Sequence, residues 1–287
     1  MTKYILMVFA GACSFGILST FVKIAYRQGY TPAEIAVSQA FVGMLALWGI
    51  TLLTERKKWL LSWRNMWPLL LTGATIGITT FVYYLSVHYI SASLAIVLLM
   101  QFTWISIVLE RVLFGIKAGK ALWWCTLAVL TGTVMAAGIS GEASLTGVLL
   151  ALGASVLYAI YIVANSRTDQ QVPSFQRSAV MMTGSTLGIF LVNAPQLSTS
   201  VHYDWPLLPW AAFLALFGTI IPPVLFTKGI PRIGAGLSAI IMTAELPVAV
   251  ICAHFVLHEP VSWLQASGIV VMLGAIAFMH LRAAGGK

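Results

Sequence analysis

Residues 233–259 read IGAGLSAIIMTAELPVAVICAHFVLHE. Between Ala235 and Leu257 lie 23 residues with no Asp, Lys or Arg and a single Glu, Glu245, the eleventh of them. About 20 apolar residues are needed to cross the hydrocarbon core of a bilayer, so this stretch has the length of a transmembrane helix. Glu245 then sits near the midplane. A charged side chain at that depth costs at least about 2.5–3.5 kcal/mol on insertion scales, so it is expected to face a cavity or a partner. Pro247, two residues on, has no backbone N–H. It is expected to remove the hydrogen bond to the Thr243 carbonyl and to disfavour helical geometry at Leu246.

The start of this stretch has an echo. Ile233-Gly234-Ala235-Gly236-Leu237 repeats Ile90-Ser91-Ala92-Ser93-Leu94 at an offset of 143 residues. Ala10, Ser14 and Pro32 match Ala151, Ser155 and Pro173 at 141, and Gly132 matches Gly274 at 142. The common offset is half of the 287-residue chain, the mark of an internal repeat.

Working outward, ten apolar stretches follow, roughly 4–24, 33–53, 67–87, 92–113, 121–139, 145–165, 177–194, 209–227, 235–257 and 263–281. Backbone groups in lipid must bond within the segment, which leaves helices or a closed barrel. A barrel would show alternating segments of about ten residues, and none is present. Composition agrees: 60% of residues are hydrophobic and only 8% charged, against about 25% charged in soluble domains. The first stretch continues well past Cys13, so it reads as a transmembrane helix and not as a removed signal peptide. The fold class is therefore an all-α integral membrane protein of ten helices. The halves are 1–140 and 141–287, with five helices each. An odd number per half inverts the second relative to the first, an architecture common among alternating-access transporters.

Charge placement orients the chain. With ten spans, the termini and the even-numbered loops share one side. That side holds Lys3; Arg56, Lys57, Lys58 and Arg64; Arg111, Lys117 and Lys120; Arg167 and Arg177; Lys228 and Arg232; Arg282 and Lys287. Only Lys23 and Arg27 lie opposite. Positive charge marks the cytoplasmic face, so both termini are expected in the cytoplasm of a cell whose inner membrane holds the protein. The net charge of +8 is thereby explained without nucleic acid.

The chain resembles the drug/metabolite transporter superfamily, of the EamA type, over nearly its whole length. Ser14-Phe15-Gly16 through Lys23 and then Pro32 resembles that family's first helix, with Phe15 where Trp is usual. Tyr84 to Ser93 resembles the junction of its third and fourth helices. Gly218-Thr219 opens the matching part of the second half. Glu245-Leu246-Pro247-Val248, Leu257-His258-Glu259, Gly268 and Gly274 resemble its last two helices. In the first half, Thr103-Trp104 stands where Pro is common, Phe114-Gly115-Ile116-Lys117 where Gly-Glu is common, and Gln39 where Arg is common. The resemblance implies ten helices in an inverted 5+5 repeat and export of amino acids or other small metabolites. It names no substrate.

Several residues are candidates for binding or coupling. Glu245 could take up and release protons or hold a cationic group of a substrate. Gln101 and Trp104 share a helix face one turn apart near mid-membrane; an amide in hydrocarbon needs a partner, and Trp104 is too deep for an interfacial anchor. Ser14 and Ser155 are repeat mates that suit helix packing or a pore wall. Tyr84 and Tyr158 could line the pore or belong to aromatic belts. Pro222, Pro223 and Gly218 of helix eight, with Pro247, are candidates for a hinge or gate. Glu110 and Arg111 read as interfacial charges.

Metals, cofactors and enzyme chemistry find no support. The three cysteines, Cys13, Cys125 and Cys252, lie far apart, and the five histidines show no ligand spacing. No His-Glu-x-x-His, Gly-x-Ser-x-Gly or P-loop pattern is present. A channel would need rings of charge or carbonyls, which the spans do not offer. The expected function is gradient-driven or exchange transport of a small-molecule substrate around a midplane cavity. Protons are the candidate coupling ion, and the protein is a monomer or homodimer in the lipid bilayer. The rival readings are a lipid or lipid-linked carrier flippase of the same fold, a membrane-embedded enzyme and a structural membrane protein.

Overall fold

A computed structural model of the chain describes residues 1–55, 62–90, 92–137, 144–197, 205–258 and 260–285. The side chains of Ser19, Tyr84, Val87, His88, Ala92, Ser93, 195–197, Ala284 and Gly285 lie outside that description. So do Arg56, Lys57, Lys58, Glu259 and Lys287, which the reading above used.

The described residues form helices α1 (Thr2–Arg27), α2 (Pro32–Thr54), α3 (Trp63–Tyr89), α4 (Ala92–Leu99), α5 (Phe102–Phe114), α6 (Lys120–Ala137), α7 (Leu145–Ser166), α8 (Ser174–Leu197), α9 (Leu207–Leu214), α10 (Ile221–Ile233), α11 (Ala235–Met242), α12 (Glu245–Leu257) and α13 (Trp263–Gly285). A π-helical stretch, Ala215–Ile220, joins α9 to α10. Thirteen helices make ten spans, because α4–α5, α9–α10 and α11–α12 are broken spans: the fourth, eighth and ninth. Nine of the ten are long and apolar enough to cross a membrane among the described residues. The remaining span, the seventh, is α8, which has 24 residues and buries Gln176, Arg177, Ser185 and Asn193 inside the bundle.

Local chemistry sets several boundaries. Thr31 and Glu34 cap α2 reciprocally: the Thr31 hydroxyl accepts the Glu34 N–H at 3.3 Å, and the Glu34 carboxylate accepts the Thr31 N–H at 2.8 Å. Pro32 occupies the first turn, where its missing N–H costs nothing. Gly115 ends α5 at φ +69°.

Close helix approach depends on small residues, as expected where lipid supplies no hydrophobic drive between helices. Gly73-x-x-x-Gly77 of α3 meets Gly184-x-x-x-Gly188 of α8. A Cβ on Gly73 would strike the Met181 carbonyl, and one on Gly184 the Leu70 carbonyl. These reciprocal small-residue motifs escaped the sequence reading.

Three spans are interrupted, the eighth and ninth near the prolines expected to disturb them and the fourth without such a signal. The ninth breaks at Thr243–Ala244, not at Pro247. The Thr243 and Ala244 amides reach back three residues, to Ile240 and Ile241, and the Thr243 hydroxyl donates to the Ile240 carbonyl at 2.6 Å. The Thr243 carbonyl is not orphaned, since it accepts the Leu246 N–H at 3.2 Å. Leu246 is helical. Pro247 is third in the new helix, where its missing N–H belongs to a turn without backbone partners anyway.

The fourth span breaks at Met100–Gln101, 143 residues earlier, with no proline to announce it. The Gln101 amide turns to Leu98, so the Val97 carbonyl loses its usual donor. The Gln101 side chain replaces it, donating to Val97 at 3.1 Å.

The eighth span changes to π geometry ahead of Pro222-Pro223. The Ile221 N–H reaches five residues back to Leu216. The Phe217 carbonyl thus loses its α-type donor, and its π-type donor would be Pro222, which has none.

Candidate functional site

A cavity of about 500 Å³ opens between α4 and α12. Ile96 and Leu99 line it from α4; Glu245, Ala249 and Ala253 from α12. It runs from the helix breaks toward Lys23, Tyr26, Pro260 and Gln265, the end that charge placement assigns to the outside. Tyr158 and Tyr161 of α7 form part of its apolar floor. Their rings stack at 6.1 Å, and Phe102, the repeat mate of Glu245, packs on Tyr158 at 4.7 Å.

Glu245 is the one acidic side chain lining the cavity among the described residues. It opens α12, so its carboxyl lies at the positive end of a helix dipole, which favours an anion. It makes no hydrogen bond or ion pair with a described residue. α1 presses against it from behind. A Cβ on Gly16 would come 2.5 Å from the Glu245 carbonyl oxygen and 2.7 Å from Val248 Cβ. The backbone that carries the carboxyl is therefore packed closely against α1, and the tip has no partner among the described residues.

Tyr158, Gly218 and Pro223 share the cavity wall with Glu245, whereas Pro222 and Pro247 are buried behind it. Ser14 is not in the wall. Its hydroxyl donates to the Phe217 carbonyl at 2.6 Å, supplying the hydrogen bond that the π-turn and Pro222 deny. Gln101 and Trp104 also lie apart from the cavity. The Trp104 indole N–H donates to the Gln101 side chain at 2.9 Å on the bundle's outer surface, so the pair splints the fourth-span break. The Tyr84 side chain lies outside the described residues.

Other wall residues were not among the site candidates, although Gln39 had stood out as a departure from the family pattern. Gln39 donates to the Thr219 hydroxyl at 3.3 Å beside Gly218. Thr79, Thr80 and Ser185 also face the cavity. The Thr79 and Thr80 hydroxyls bond back to their own helix, at Thr75 and Ile76, as buried threonines do in any membrane helix. Sequence offers no signal that separates them from packing residues.

Comparison with known proteins bears on this architecture. The sequence pattern of the EamA-like transporter family matches residues 2–138 and again 145–281. The chain belongs to the EamA-like transporter family. It is a multi-pass membrane transporter of the drug/metabolite transporter superfamily, and not an enzyme. The threonine/homoserine exporter RhtA of Salmonella typhimurium LT2 is 26% identical over 239 residues, which span 80% of this chain and 77% of that one. RhtA of Escherichia coli K12 is 27% identical, spanning 81% and 76%. The Bacillus subtilis protein named uncharacterized transporter YvbV is 25% identical, spanning 76% and 73%. One crystal structure superposes with a TM-score of 0.78 over 98% of this chain and 99% of its own, at 16% identity, a likeness of fold alone.

Proposed function

We propose that this protein exports small amine-bearing metabolites, amino acids first among them, across the cell inner membrane by alternating access, with protons as the coupling ion. The observation that carries the proposal is the carboxyl of Glu245, which has no hydrogen-bond or ion-pair partner among the described residues, at a helix break in a cavity floor that has no other charged side chain among them. An ammonium group and a proton are the two cations that such a group holds in turn, so that binding of one releases the other. The RhtA relatives are named as exporters of threonine and homoserine, which supports an amino-acid cargo.

Alternating access is supported by the pairing of the broken spans. The 143-residue offset makes α4 the mate of α11 and α5 the mate of α12. Here α5 packs on α11 below the breaks, while α4 and α12 stand on opposite walls of the cavity. Exchanging the conformations of the two halves, 1–140 and 141–287, would close α4 on α12 and part α5 from α11. With both termini cytoplasmic, the present arrangement is open to the outside. Pro222, Pro223, Gly218 and Pro247 supply bends about which the halves rock. A monomer contains the whole path, and a homodimer would repeat it.

The test is efflux from liposomes loaded with a mixture of amino acids and related metabolites, with and without a pH gradient, read by mass spectrometry. Selective, gradient-dependent efflux is the expected result. Folded protein that moves none of them would direct the assignment to a lipid-type substrate.

A further inference from the structure

The end of the molecule opposite the cavity mouth is fastened by a carboxylate that transport at Glu245 does not use. Glu110, in the last turns of α5, is only 8% exposed. It accepts the Ala235 N–H at 3.2 Å through Oε1 and the Gly236 N–H at 3.1 Å through Oε2. These are the first two amides of α11, groups that no helix satisfies for itself. Gly234, at φ +83°, makes the turn that presents them. Arg167 Nη2 lies 3.7 Å from Glu110 Oε1, and its guanidinium sits 4.0 Å over the Phe114 ring. One carboxylate thus ties the fourth span to the ninth and, through Arg167, to the segment after the sixth. A carboxylate on two backbone N–H groups is a charge-assisted pair, about twice as strong as a neutral one.

At the opposite gate the repeat does not place a carboxylate at the matching position. The 143-residue offset carries Glu110 onto Ala253 and the start of α11 onto Ala92 and Ser93. Ala253 stands on the open cavity wall. When α12 swings onto α4, the position that corresponds to Glu110 brings a methyl group and no charge. The two closures therefore differ in chemistry, and the difference favours the one seen.

From this we infer that Glu110 is the gate residue that sets the carrier's resting orientation, holding it closed on the cytoplasmic side until cargo and protons shift the balance. The inference rests on the alternating-access reading above. It makes Glu110 a positioning residue of the transport cycle that never touches the cargo.

The experiment uses the full-length chain with Cys13, Cys125 and Cys252 replaced and one cysteine added. Ile107→Cys reports on the seam between α5 and α11, since Ile107 lies 3.3 Å from where a Gly236 Cβ would stand. Ala253→Cys reports on the open wall. A membrane-impermeant maleimide is applied to each face of oriented vesicles. Glu110→Gln is expected to raise labelling of Ile107→Cys from the cytoplasmic face at least about fivefold, the low end of couplings between sites, and to lower labelling of Ala253→Cys from the outside. Opposite changes mark a shifted gate. Two rates that both rise mark a loosened fold, and two that stay put mark a passive cap; either result overturns the inference. Should Glu110→Gln fail to assemble, Arg167→Gln removes only the outer brace and is expected to give the same opposite shifts at smaller size, with unchanged rates again overturning it. Cargo added to the otherwise unchanged protein separates the two levels. If it moves the labels and Glu110→Gln does not, this inference fails alone. If it moves neither label, alternating access fails.

Discussion

At the scale of single residues, Glu245 is where sequence and structure meet most directly. Its depth, its isolation in an apolar run and the proline two residues on were all legible, because the bilayer makes a lone charge costly enough to notice. Hydrogen bonds to charged groups contribute about 1.5–3 kcal/mol. Glu245→Gln is accordingly expected to weaken retention of an amine cargo by about 10- to 100-fold, with the folded protein recovered in normal yield; isothermal titration in detergent measures it. Gly16 tests the support behind that carboxyl. Gly16→Val places a branched side chain against the Glu245 carbonyl and Val248. Overpacking of this kind costs typically 1–3 kcal/mol, so the thermal unfolding midpoint is expected to fall by several degrees. An unchanged midpoint would mean that α1 yields freely there.

Gln101 shows why polarity in a membrane helix is ambiguous. An amide in hydrocarbon needs a partner, but the partner is as easily its own helix as a cargo. Here the side chain holds the Val97 carbonyl and the Trp104 indole. Gln101→Leu should therefore destabilise the protein by about 1 kcal/mol, the worth of an ordinary hydrogen bond, and leave the relative affinities of cargoes unchanged. A changed order of preference among cargoes would return Gln101 to the binding site.

At the scale of elements, the breaks in the fourth, eighth and ninth spans do the shaping. Two were foreshadowed by proline. The fourth was invisible because no proline marks it and a side chain stands in for the lost backbone donor, an exchange of which periodicity carries no trace. The ninth breaks a turn before its proline because Thr243 and Ala244 tighten first, leaving Pro247 in a helix start that tolerates it. In the eighth, the Ile221 N–H turns to Leu216 and Pro222 has no N–H to offer, which deprives the Phe217 carbonyl, and Ser14 repairs the loss from another helix. Ser14→Ala is expected to cost about 1–3 kcal/mol, the penalty for a buried acceptor left unsatisfied, measurable as a lower unfolding midpoint. The paired substitution Ser14→Ala with Pro222→Ala restores a backbone donor one residue beyond the usual α-helical partner of Phe217. It is expected to recover part of that loss. Equal midpoints for Ser14→Ala and the starting protein would remove Ser14 from this role.

At the scale of the whole molecule, the ten spans were readable from length and charge alone, since hydrocarbon imposes its thickness on every segment. The repeat was readable from a few identities at one offset, and it locates the helix breaks 143 residues apart. Of the cavity's walls, Glu245, Tyr158, Gly218 and Pro223 were candidates in the sequence, and most of the rest was not readable. Thr79, Gln39 and Ser185 are ordinary bundle residues until the helices are assembled, and α8 packs on α3 at reciprocal glycines while its buried polar side chains reach other elements, as Thr186 reaches Ala40 and Arg177 reaches Thr168. What assembly adds is asymmetry: one pair of half-helices closed and braced by Glu110, the mated pair apart around Glu245.

The measurement that bears most directly on this account follows cargo and protons together. Liposomes containing the protein and an amino-acid cargo would carry a pH-sensitive dye, and efflux and proton movement would be recorded at once for the unaltered chain and for Glu245→Gln. Stoichiometric proton movement opposite to the cargo, abolished in Glu245→Gln while folded protein remains, is the predicted result. Cargo flux in Glu245→Gln that equals that of the unaltered chain and still tracks the gradient would contradict it.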